Sequence, residues 1–233
     1  MLEIQRKPEI ADVEKPDVST FREIKPESNM TISEAKSFVD SLFQKMDDTS
    51  DGFYTSREDR MDRIPVEHSD RGIWEGERGE SKFIPSEGTD RGRAAQEKLA
   101  EKELDGIEYK NTEPDFSGCA EATVEIDDMT EHRDDYYDTN GNRQLGNFSQ
   151  ADAKCAEQWN VSQKDGRADW TAIDVRDWRR ENKCSWHERC DTHTMDLVAR
   201  DIHEFFSHSG GIAECKARDK VSATAYIGGG FDE

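Results

Sequence analysis

Four of the five tryptophans of this 233-residue chain (Trp159, Trp170, Trp178, Trp186) and four of its six histidines (His187, His193, His203, His208) lie between residues 159 and 208. Over the whole chain there is little with which to build an interior: 33% of residues are hydrophobic, 36% are charged, and the formal net charge is −21. So polar a composition is near the point where burial stops offsetting chain entropy, and an ordered core has to gather where the large apolar residues are. The expectation is an α+β protein with an acidic, partly flexible N-terminal half and a C-terminal domain that holds both core and site. No apolar run approaches the ~18–20 residues of a membrane span. The start, Met1 to Pro8, lacks the apolar stretch of a signal peptide.

Residues 1–30 carry three of the six prolines, Pro8, Pro16 and Pro26, among alternating charges, and read as a flexible linker. Residues 31–147 read as an acidic region to which the sequence assigns no role. A Thr31-x-x-Glu34 capping box opens an amphipathic helix through Met46. The following acidic turn, Asp47–Gly52, puts Glu58 at the twelfth position of a calcium loop, but Thr49 departs from the third, so a plain turn is expected. Short strands are expected at Lys82–Pro85, Ile107–Tyr109 and Ala122–Ile126, a packed turn at Gly72–Gly79 around Trp74, and a turn at Asp138–Asn142. Cys119, Cys155, Cys184, Cys190 and Cys215 are odd in number and contain no Cys-x-x-Cys. Free thiols are expected, with a zinc site from Cys184, Cys190 and Cys215 as the weaker alternative.

From Phe148 the pattern sharpens. Ser149 can cap a helix ending near Asn160, and Thr171 with Asp174 can cap another reaching Asn182. Strands Lys183–Glu188 and Thr194–Ala199 flank a turn at Arg189–His193, and Asp201 can cap a third helix stopped by Gly210-Gly211. In this β, β, α order one strand residue and two helix residues can meet at a point, and neutral imidazoles are good ligands for divalent transition metals.

The series Trp186-His187-Glu188, Asp191, Thr194-Met195-Asp196-Leu197-Val198, Ile202-His203 and His208-Ser209-Gly210-Gly211 resembles nucleases of the HNH and endonuclease VII superfamily. The subgroup it looks most like is the Trp-His-His type found at the C-termini of bacterial polymorphic toxins. The similarity runs from about Phe148 to Arg218, and Trp74–Arg78 looks like material that precedes such tails. The resemblance implies a ββα-metal (His-Me finger) nuclease domain over residues 148–233 that hydrolyses phosphodiester bonds in DNA with one divalent ion, magnesium, manganese or zinc. His187, His203 and His208 would hold the ion. Glu188 stands where family members often carry a histidine base, and is open to three roles: base, metal ligand, or a group that positions a base. A bacterial protein is implied, cytoplasmic or delivered into a target cell by a specialised secretion system, with a cognate immunity protein as partner and no membrane partner.

Two geometric points bear on this site. Neighbouring strand residues face opposite sides, so His187 and Glu188 share a site only at a strand end or bulge. His203 and His208, five apart, would stand ~140° apart around a continuous helix. His208 converges if it sits in an unwinding last turn; otherwise it would contact phosphate, with Asp196 or Glu188 completing the coordination. His193 falls outside the site, and Trp186 is expected in the core.

The charge of −21 argues against generic nucleic-acid binding until it is partitioned. Residues 171–218 hold eight Lys and Arg against nine Asp and Glu, so nearly all of the negative charge lies elsewhere. Arg179, Arg180, Lys183 and Arg189 flank His187 and are the candidate phosphate contacts. Two alternatives remain: an RNA-cleaving toxin of the same fold, and a non-enzymatic acidic nucleic-acid mimic whose histidines form a structural metal staple.

Overall fold

The computed structural model describes residues 53–228, with side chains through Val221. The expected linker, the helix through Met46 and the acidic turn Asp47–Gly52 lie outside the described residues. In chain order the elements are α1 (Arg57–Met61), β1 (Gly72–Trp74), β2 (Lys82–Pro85), α2 (Asp90–Ala100), β3 (Ile107–Lys110), β4 (Glu113–Pro114), β5 (Ala122–Glu125), β6 (Tyr136–Tyr137), β7 (Arg143–Gln144), α3 (Asn147–Ser162), α4 (Ala172–Glu181), β8 (Cys184–Glu188), β9 (Thr194–Ala199), α5 (Arg200–His203) and α6 (Gly211–Gly228).

The expected hairpin is the hub. β8 and β9 pair antiparallel with His187 opposite Asp196, and β5 adds to the far edge of β9 with Val124 opposite Met195. The Asp191 carboxylate closes the connecting turn by accepting from the backbone N–H of His193 and Thr194 at 2.9 and 2.8 Å. Strand alternation then divides the hairpin's side chains between two cores. Trp186, Met195 and Leu197, with Ala122 and Val124 of β5, pack on Phe148, Cys155 and Trp159 of α3 and Val175 of α4. Here Trp159 meets Trp170 and Trp178 edge-on at 4.7 and 5.0 Å. The reciprocal Thr171–Asp174 box caps α4, as the sequence indicates.

The opposite face carries Val198, followed by Ile202, Phe205 and Phe206, against Phe83, Ala95, Leu99, Ile107 and Tyr109. These belong to a second layer, the antiparallel sheet β1-β2-β3-β4 and helix α2. The expected turn at Gly72–Gly79 is thus strand β1 over its first three residues. Gly72 is needed there because a β-carbon would come within 2.2 Å of the Ile84 carbonyl oxygen across the ladder.

Other boundaries move for local reasons. α3 starts at Asn147 with Gly146 as its cap, ahead of Ser149, because Gly146 lies against the Asp134 backbone where a β-carbon would clash at 2.3 Å. The third helix is corrected most: α5 is one turn, capped by Ala199, and ends at His203, while Gly211 begins α6 instead of ending a helix. All five cysteines are buried free thiols.

Candidate metal centre

His187 projects from the β8 face shared with Asp196, His203 closes α5, and His208 follows a short turn. Because α5 stops after one turn, the chain between Glu204 and Ser207 can swing His208 back toward His203, which a continuous helix would forbid. The ligand-competent atoms of the three imidazoles lie within 4.8 Å of one another, and among the described residues no other such group of three is present. Ring centroids are 4.6 Å apart for His187 and His208, 5.5 Å for His187 and His203, and 5.6 Å for His203 and His208. Phe116 stands edge-on to His187 at 4.9 Å and walls the cluster.

The donor set fits a metal ion. His208 Nδ1 donates to the Phe206 carbonyl at 2.7 Å, which fixes its tautomer and leaves Nε2 with a free lone pair. Both ring nitrogens of His187 are buried without a hydrogen-bond partner. Such orphaned groups cost on the order of 1–3 kcal/mol each, and an ion satisfies one of them. Burial pushes His187 well below its ordinary value of 6.5, and the neighbouring His208 and His203 add repulsion. Burial takes His203 down to about 3 and lowers His208 too. All three rings are therefore neutral near pH 7, the form that ligates metal.

Glu188 ends β8 on the other face. Gly211 lies against it, where a β-carbon would approach the Glu188 β-carbon at 3.2 Å. Burial raises the Glu188 carboxyl above the usual range, while Arg133, its Nε 3.5 Å away, pulls the other way. Arg133 also acts electrostatically on His203 and rests over the Phe148 ring at 5.3 Å. This half-exposed guanidinium thus pairs with the carboxylate and is felt electrostatically by His203. Sequence reasoning missed it, although a signal was there: Arg133 is the sole Lys or Arg between Lys110 and Arg143, in a strongly acidic stretch.

The other sequence candidates separate. Arg179 is buried in a pair with Asp152, at 2.9 Å from Nε, and Asp152 also accepts from Trp186 Nε1 at 2.8 Å. It is a structural group and not a surface phosphate contact; its partner, 27 residues away, is invisible to local pattern. Trp186 is in the core, as expected. Arg189 pairs with Asp196 at 2.6 Å, and Asp196 also accepts from Thr123 Oγ1 at 2.6 Å, so Asp196 is committed and does not join the cluster. Arg180 and Lys183 are exposed, as is His193 in its turn.

The family model for the DNase/tRNase domain of colicin-like bacteriocins matches residues 93–210, a stretch containing all three histidines, Glu188 and Arg133. The chain belongs to this family of colicin-type DNase/tRNase domains. No curated protein and no solved structure matches it. As a colicin-type DNase/tRNase domain it is a nuclease, a hydrolase of bacterial bacteriocin type. Its match opens inside α2 and takes in β3, β4 and β5 as well as the hairpin. Among the described residues no helix is long and apolar enough to cross a membrane.

Proposed function

We propose that this colicin-type domain is an HNH endonuclease of the Trp-His-His kind, cutting DNA with one divalent ion held by His187, His203 and His208. The convergence of three neutral imidazoles, one with both nitrogens unpartnered in the interior, is the observation that carries the reading. When bound, a divalent ion supplies Lewis-acid polarisation of the scissile phosphate and stabilises charge on the leaving 3′-oxygen. Glu188 is the candidate base that takes the proton of the attacking water. It sits at the strand end, pairs with Arg133, and is kept a stronger base than an exposed carboxylate by burial. Arg133 is the candidate phosphate contact, with Arg180, Lys183 and Arg189 as outer cations. In this reading the nuclease domain reaches back past the expected boundary at residue 148, since β5 pairs with β9 and both Arg133 and the family match from residue 93 precede it.

The family description covers DNA and tRNA cleavage alike, so RNA is the second substrate to test. A bacteriocin role adds a cognate immunity protein and a delivery route into a target cell. Matched DNA and RNA substrates in magnesium, manganese or zinc, with wild type, Glu188→Gln and Arg133→Ala, test the proposal. DNA cleavage slowed in both variants, with zinc affinity unchanged, is the expected result. Cleavage of RNA alone would reassign the substrate, and cleavage of neither would favour the acidic mimic with a structural metal staple.

A further inference from the structure

His208 is the ligand whose placement owes least to regular structure, since no helix or strand holds it. The turn before it is nevertheless fixed atom by atom. The Phe205 carbonyl accepts from the Arg71 guanidinium and from the Ser207 N–H at 3.1 Å. Phe206's carbonyl accepts from His208 itself, and that of Ser207 accepts from Tyr109 Oη at 3.1 Å. Arg71 also donates to Ser207 Oγ at 3.2 Å and lies over the Phe205 ring at 5.2 Å. Every carbonyl from Phe205 to Ser207 is taken, two of them by side chains of the N-terminal layer. Tyr109 is buried on β3 with Trp74 edge-on at 4.9 Å, and Arg71 directly precedes β1, where its carbonyl accepts from Ser86 N–H at 2.7 Å.

We propose that Arg71 and Tyr109 are positioning residues for the third metal ligand, so that the β1–β4 layer, including a residue upstream of the family match, is a working part of the metal site. The inference rests on the three-histidine reading above. A turn free to relax would let His208 drift, and a ligand misplaced by about 1 Å loses much of its value to a metal. Outer partners that orient a ligand are typically worth 10–100-fold in metal affinity.

The test is zinc affinity of the full chain, measured by competition with a chromophoric chelator, for wild type, Tyr109→Phe, Arg71→Ala, Arg71→Lys, His208→Ala and the double variant Tyr109→Phe/His208→Ala. Thermal scans in EDTA establish that each is folded. Tyr109→Phe and Arg71→Ala are expected to weaken zinc binding about tenfold, with partial recovery in Arg71→Lys. Tyr109→Phe should have no further effect once His208 is gone, because it acts through that ring. Should Arg71→Ala not fold, Tyr109→Phe, which keeps the buried ring, decides. Unchanged affinity in folded Tyr109→Phe, or an equal loss in the His208→Ala background, overturns the positioning role while leaving the metal site standing. Absence of zinc binding by wild type overturns both.

Discussion

Replacing His187 with leucine should make the metal-free protein more stable and the metal-loaded protein less so. His187 is buried with both ring nitrogens unpartnered, next to Phe116 and facing two more neutral imidazoles. An unmade hydrogen bond in the interior costs on the order of 1–3 kcal/mol, and an apolar group of similar size carries no such cost. Allowing for imperfect packing of the new side chain, His187→Leu should gain about 2 kcal/mol in EDTA. For a domain of this size that is ~4–8 °C in Tm. Metal reverses the order: at a hundredfold excess over Kd the wild type gains about 2.7 kcal/mol, and a variant without its central ligand gains far less. Thermal unfolding of both proteins in EDTA and in excess zinc reads all four values. A variant less stable than wild type in EDTA, or one that keeps the full zinc shift, would refute the idea that this histidine is held in the interior for a ligand.

Asp152→Ala should cost ~3–5 kcal/mol in urea unfolding, because it strands the buried Arg179 charge and leaves Trp186 Nε1 without its acceptor; a loss under 1 kcal/mol would show that water reaches the pair. Hydrogen bonds from the Thr171 hydroxyl and N–H hold Asp174 below its ordinary 3.8. A carboxyl whose pKa is depressed on folding stabilises above its unfolded value, and that contribution fades as pH falls through 3.8 and below. Asp174→Asn should therefore be less stable than wild type at pH 7 and approach it below pH 3.8; a gap that stays constant with pH would place the capping effect elsewhere. Arg133→Ala should lower the cleavage rate and flatten its salt dependence without changing zinc affinity, and an unchanged salt slope in cleavage assays would remove Arg133 from the substrate path.

The hairpin could be read from sequence because its signals are local: two short apolar runs around a turn with Asp191, and the Thr171–Asp174 box just upstream. Trp186 could be assigned to the core for the same reason. Helix α2 escaped because its buried face is reduced to Gly92, Ala95 and Leu99 among charges, which leaves almost no periodic signal. β1 was hidden by glycines that read as a turn, although Gly72 is there for close cross-strand approach. At the site, the residue types were legible and the geometry was not. A separation of five residues argues against convergence only while the helix continues, and α5 ends at His203. Arg179 looked like a surface cation because its partner Asp152 is distant in sequence, and Arg133 went unnoticed because it meets Glu188 from a loop 55 residues before it.

If the three imidazoles hold the ion that this nuclease uses, cleavage must depend on both metal and His187. Plasmid nicking by the purified protein in EDTA, and after adding back magnesium, manganese or zinc, with His187→Ala alongside, addresses it most directly. EDTA should abolish nicking, added metal should restore it, and folded His187→Ala should lack it under every condition. Nicking that survives EDTA, or that persists at wild-type rate in His187→Ala, would contradict it.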